Sequence, residues 1–127
     1  KTGETDFLYH LGLDTTSDLP AMFGDVKVVA MHGSAERAAS FATRTAKALG
    51  IVLPTGTGIV PVGKTERYST YKIGPVISVS HGIGMPSFSV CVHELVKLLH
   101  YARASRDVLF MRLGTCGGIG IEPGTVI

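Results

Sequence analysis

A chain of 127 residues, 45% apolar and 17% charged, is long enough for one domain with a real core and is too apolar for a disordered segment. A net charge of +2, with lysines and arginines scattered along the chain, excludes a dedicated nucleic-acid surface, and no apolar run approaches the length of a membrane span. Cys91 and Cys116 stand far apart without metal-ligand spacing, which fits the reducing conditions of the cytoplasm. The chain starts at Lys1 and stops in Thr125-Val126-Ile127, which reads as the middle of a strand, so a piece of a longer protein is expected.

Residues 1–25 give no secure helix or strand. Phe7, Leu8, Tyr9, His10 and Leu11 form a short mixed run, followed by turn-rich residues as far as Pro20. A lone histidine such as His10 is more often packed or solvated than functional. Val26–Met31 predicts a strand, His32-Gly33-Ser34 a corner, and Ser34 a helix N-cap. Ala35, Ala38, Ala39, Ala42, Ala46 and Leu49 then recur at helical spacing, and Gly50 is a natural stop. Arg37 falls in the first turn of this helix. A cation there opposes the helix dipole by roughly a few tenths of a kcal/mol, unless an anion lies over the free N–H groups.

Residues 54–58 read as a loop. Gly58–Thr65 matches the nucleotide-binding pattern G-x-x-x-x-G-K-T to the letter, but such a loop must follow a strand and open a helix. Here a glycine-rich loop precedes it, and Glu66–Ile73, of β-type composition, follows it. The match carries no nucleotide site. Gly74-Pro75 turns the chain into a strand at Val76–Ser80, and His81-Gly82-Ile83-Gly84-Met85-Pro86-Ser87 forms a second corner with Pro86 suited to a first helical turn. Phe88, Cys91, Val92, Leu95, Leu99 and Ala102 share one face of the helix that follows. His93-Glu94 lacks the second histidine of a zinc helix, whose position is taken by Lys97; Gly82 and Gly84 lack the third glycine of a dinucleotide fingerprint.

Val108–Leu113 has five apolar residues in six and is expected to be a strand buried on both faces, with Arg112 inside it. A guanidinium stays charged, and burying it unpaired costs roughly several kcal/mol. Arg112 therefore meets either a carboxylate of the chain or an anionic ligand. Gly114, Thr115, Cys116, Gly117, Gly118 and Gly120 follow as a corner lined with N–H groups and one hydroxyl, the way many α/β proteins hold an anion. From these residues the two readings stand level. Glu122-Pro123-Gly124 then turns into a final strand start at Thr125–Ile127. Three strands ending in glycine corners describe an α/β sheet with its ligands at the carboxyl ends, where Arg37 and Arg112 could converge on one phosphate-like anion.

Taken together, D-F-L-Y-H-L-G-L, F-G-D-V-K, H-G-S-A-E-R, E-R-Y-S-T-Y-K-I-G-P-V, S-H-G-I-G-M-P-S and R-L-G-T-C-G-G-I-G-I-E-P-G-T-V resemble the uridine phosphorylases, of animal type, in the nucleoside phosphorylase superfamily. The likeness runs in unbroken order from about Asp6 to the last residue. It implies an α/β fold, a three-layer α/β/α domain around a mixed, partly barrel-like sheet, of which residues 1–127 are the N-terminal part. It also implies reversible phosphorolysis of uridine to uracil and ribose 1-phosphate, a step of pyrimidine salvage, with no cofactor and with orthophosphate as co-substrate.

By position, the resemblance assigns phosphate to the Gly33 backbone, Arg37, Arg112 and the Thr115 hydroxyl, with Arg67 supplied by a neighbouring subunit. His10 of the neighbour is assigned to the ribose 5′-hydroxyl, Thr115 and Arg112 lie near the ribose, and the Gly117 backbone near the base. The partners implied are uridine, phosphate and a second copy in a cytoplasmic homodimer, with residues 1–25 as an arm at the interface; neither nucleic acid nor membrane is expected. The chain departs from the family pattern at His32, where a second glycine is common, at Ala35-Glu36 in place of Pro-Ser, and at Cys116 in place of a frequent serine. The family's base-reading residues and its ribose-binding Met-Glu pair fall in a second half beyond Ile127. The alternatives are another nucleoside phosphorylase or a nucleosidase of the superfamily, or a truncated homologue that only binds.

Overall fold

The computed structural model describes residues 4–53 and 58–127, so the loop expected at 54–58 lies, apart from Gly58, outside the described residues. The N-terminal arm is more ordered than its sequence predicts. β1 (Phe7–Leu8) and β2 (Leu13–Asp14) pair antiparallel, and the turn between them carries His10. α1 (Leu19–Phe23) follows, opened by the Asp18 carboxylate, which accepts the Ala21 N–H at 3.0 Å, and by Pro20 in its first turn. Both signals are present in the sequence. A five-residue helix is simply too short to show periodicity.

β3 (Val28–His32) begins later than expected, because Val26 turns inward below it and donates its N–H to the Phe23 carbonyl at 3.1 Å. α2 (Ala35–Ala48) starts at the Ser34 cap and ends before Gly50, whose φ of +66° only glycine adopts freely. β4 (Thr70–Ile73) and β5 (Val76–Ser80) form an antiparallel pair. The strand expected from Glu66 is shorter at its start, since the Thr65 hydroxyl accepts the Arg67 N–H at 3.0 Å and bends residues 66–69 out of the ladder. α3 (Met85–Tyr101) and β6 (Leu109–Leu113) complete the order. No strand forms at Thr125–Ile127: the Thr125 N–H and hydroxyl both turn back to the Glu122 carbonyl, and no strand among the described residues lies alongside.

The four-stranded sheet runs β4-β5-β3-β6, mixed because only β4 is antiparallel. His32 pairs in register with both Ser80 and Leu113, so three parallel strands end side by side. On one face α2 lays Ala38, Ala42 and Ala46 against Tyr71 and Ile73. Small residues let that helix sit close, and Ser78 donates to the Ala38 carbonyl at 2.8 Å across the seam. On the other face α1, α3 and the hairpin bury Leu8, Leu11, Phe23, Leu95 and Leu98 against Val29, Ile77 and Val79. The result is an α/β/α domain, the architecture the resemblance implies. β6 corrects one expectation. It lies at the sheet edge, paired only with β3, and Leu109, Phe110, Arg112 and Leu113 are exposed rather than buried on both faces.

The G-x-x-x-x-G-K-T match is a packing device. A Cβ on Gly63, at φ +86°, would lie 2.1 Å from the Leu11 carbonyl oxygen, and the Lys64 N–H donates to the Gly12 carbonyl at 3.2 Å. The glycine lets this loop lie against the hairpin, and no helix follows it.

Candidate active site

The three corners stand next to one another at the carboxyl ends of β3, β5 and β6. In the first, the Ser34 hydroxyl accepts the Arg37 N–H at 3.3 Å, which starts α2 and places Arg37 in its first turn. Both terminal nitrogens of Arg37 then donate to Thr115 Oγ1 at 3.3 Å, across to the third corner. Two of the expected residues, 78 positions apart, are thus in contact. A Cβ at Gly33 or at Gly117 would meet nothing within 4 Å, so there is open space beside both backbones. His32, Arg37, Phe41, Gly114 and Thr115 line a cavity of about 340 Å³ beside this contact.

Arg112 lies one residue short of the third corner and forms no ion pair with any carboxylate among the described residues. It lines one cavity with Thr115 and a second with His81 and Phe88, on the α3 side of the sheet. Gly114 gives it room: a Cβ there would fall 2.6 Å from Arg112 Nη1. Thr115 therefore borders both the Arg37 cavity and an Arg112 cavity. Arg67 and His10 line none of the three cavities; the His10 ring lies 5.7 Å from that of Tyr68, the residue after Arg67 in the chain.

Two histidines belong to this site that the sequence reading did not assign to it. His32 is 3% exposed and His81 4%, and His32 Nε2 and both ring nitrogens of His81 have no hydrogen-bond partner. His32 lies against Phe41 and His81 edge-on to Phe88. Burial lowers the pKa of His32, and the charges of His81 and Arg37 lower it further; burial and Arg112 do the same to His81. Their signal in the sequence is position alone: each ends a strand at a corner.

The two histidines give the fold an acid-sensitive point. Unfolded histidines take up protons below about pH 6.5, while the buried pair resists, so the unfolded state binds more protons and stability falls as the pH falls. Melting temperature is expected to drop from about pH 7 to about pH 5, and His32→Gln should flatten that slope. A slope unchanged by the substitution would show that His32 is not its source.

Burial pushes the Cys91 thiol up to about 12, with the Glu94 charge adding to the effect, and Cys116 is a free, exposed thiol. Among the described residues no group of His, Cys, Asp or Glu could hold a metal ion, and no helix is long and apolar enough to cross a membrane. His93, read above as the start of an incomplete zinc pattern, contacts the Ser89 carbonyl of its own helix.

Residues 27–127 match the model of the phosphorylase superfamily. Uridine phosphorylase 2 of Homo sapiens is 51% identical over 125 residues, which is 98% of this chain and 39% of the human protein. The structure of uridine phosphorylase from Schistosoma mansoni in complex with uracil superposes with a TM-score of 0.87 at 41% identity, covering 95% of this chain and 42% of that one. Inactive uridine phosphorylase B of the same organism is 42% identical over 125 residues, 98% of this chain and 41% of that protein. The chain thus spans about two fifths of the length of these relatives. It belongs to the phosphorylase superfamily and matches the uridine phosphorylases along nearly its whole length.

Proposed function

We propose that the intact protein catalyses reversible phosphorolysis of uridine and that residues 1–127 supply its phosphate corner. The observation that carries this reading is the Arg37–Thr115 contact at the aligned ends of parallel strands, in the corner that Gly33 opens. Arg37, Arg112, the Thr115 hydroxyl and the Gly33 N–H hold the phosphate below the anomeric carbon, where charge-assisted hydrogen bonds fix its orientation. As the bond from the anomeric carbon to the base nitrogen lengthens, the sugar becomes oxocarbenium-like and the held anion stabilises it. A phosphate oxygen then bonds to that carbon, and the base leaves with the electron pair. The Gly117 backbone lies near the base.

Arg67 and His10 act on the site of a second subunit in a homodimer. Their location supports this: neither lines a cavity of its own corner, and the ring of Tyr68, the residue after Arg67, packs near the His10 ring. One surface can then deliver both to a neighbour. The enzyme works without a cofactor and in the cytoplasm. A second reading, a homologue that binds without turnover, is favoured by the likeness to the inactive schistosome protein. Uracil release by the intact protein, followed spectroscopically with and without phosphate, separates the readings. Release that requires phosphate and yields ribose 1-phosphate is expected. Release that persists without phosphate points to hydrolysis, and no release from uridine, thymidine or inosine favours the binding-only homologue.

A further inference from the structure

Glu94, the single carboxylate of α3, takes no lysine or arginine partner among the described residues. Its side chain is 13% exposed and reaches a segment 84 residues earlier in the chain. One or both of its oxygens accept the His10 N–H, at 3.1 and 2.9 Å, and Oε2 accepts the Leu11 N–H at 2.9 Å. Oε1 lies 2.6 Å from His10 Nδ1. A carboxylate at that distance requires the proton to be on Nδ1, because both oxygens only accept. The Tyr68 ring, tilted by 35°, lies near the imidazole as well. The ring is held in place with Nε2 left as its available nitrogen.

We propose that Glu94 is the positioning residue of His10, fixing its tautomer so that Nε2 accepts the hydrogen bond of a sugar hydroxyl on the neighbouring subunit. The inference rests on the assignment of His10 to the ribose 5′-hydroxyl given above. Carboxylate orientation of a histidine fixes its tautomer and the plane of the ring. The role is therefore one of specificity for nucleosides with a free 5′-hydroxyl. Docking of the hairpin does not depend on Glu94 alone. Leu8 and Leu11 are fully buried, Asp6 pairs with Lys97 at 2.7 Å and accepts from Tyr101, and Lys64 bonds to Gly12. Glu94→Gln is therefore expected to fold.

In the intact protein, Glu94→Gln should lower kcat/KM for uridine by about tenfold or more while leaving 5′-deoxyuridine within about twofold and KM for phosphate unchanged. In a His10→Ala background the same substitution should cost nothing further with uridine. Equal losses on the two nucleosides, or an undiminished effect without His10, would overturn the proposal. Nitrogen-15 spectra of labelled histidine supply a readout that needs no activity. They should show His10 protonated on Nδ1 and not on Nε2 in the wild-type protein, with the signal assigned by its loss in His10→Ala, and a proton on Nε2 would overturn the proposal even if Glu94→Gln failed to fold. Wild-type protein that releases no uracil from uridine defeats the phosphorolysis reading and the sugar role together, whereas the nitrogen-15 result decides separately whether Glu94 sets the tautomer.

Discussion

Arg112→Ala in the intact protein is expected to lower kcat/KM for phosphate by about 100- to 1000-fold while shifting the melting temperature by no more than about 2 °C. The first part follows from removing a charge-assisted contact to an anion that is held before reaction and polarised during it. The second follows from the surroundings of Arg112. It sits on an edge strand, is exposed, and has no carboxylate partner among the described residues, so its removal breaks no buried ion pair. The composition of Val108–Leu113 alone left a structural salt bridge level with a ligand. Enzyme assays with varied phosphate, set beside thermal melts of the same preparations, check both parts. A large loss of melting temperature with little loss of phosphate affinity would return Arg112 to a structural role.

Arg67→Ala is expected to lower turnover by about 100-fold, and the loss should be partly restored by mixing with an Arg112→Ala chain. The arithmetic is specific. In a dimer of the two variants, the site built on the Arg67→Ala chain keeps its own Arg112 and borrows Arg67 from its partner, while the other site lacks both. Random mixing in equal amounts makes half of the dimers mixed, so about a quarter of all sites are intact and about a quarter of wild-type turnover should return. Sedimentation or native mass spectrometry verifies the mixed dimer. Activity that stays at the level of the single variants in verified mixed dimers would assign Arg67 to its own subunit. The physical basis is the placement of Arg67 outside the cavities of its own corner, beside Tyr68, whose ring packs near that of His10.

Much of the sheet was legible because its signals are local. Val76–Ser80 agrees with β5, the alanine spacing from Ala35 agrees with α2, and Ser34 is the cap it was expected to be. What failed depends on the rest of the molecule. The apolar run at Val108–Leu113 cannot say whether it is a central or an edge strand, because that is decided by which neighbours pair with it. Thr125–Ile127 has β composition but no strand alongside among the described residues. The corner proposed for phosphate was legible in its residue types, glycines with one cation before them, whereas the contact of Arg37 with Thr115 was not, since no local spacing links residues 78 positions apart. His81 was not. A histidine ending a strand looks the same in sequence whether it is solvated or buried without a partner.

The same limit applies to Glu94. Its neighbour His93 drew attention as an incomplete zinc pattern, yet Glu94 pairs with His10, 84 residues away, and no local spacing encodes it. A carboxylate on the buried side of an amphipathic helix is the available hint, since such a group must find donors. Here the donors are the N–H groups of His10 and Leu11.

The central claim is that the corner formed by Gly33, Arg37, Arg112 and Thr115 is a phosphate site. A crystal structure of the intact protein with bound phosphate tests it most directly. The anion is expected within hydrogen-bonding distance of the Gly33 N–H, both guanidiniums and the Thr115 hydroxyl. Phosphate bound elsewhere, with Arg112 paired to a carboxylate from the rest of the protein, would contradict it.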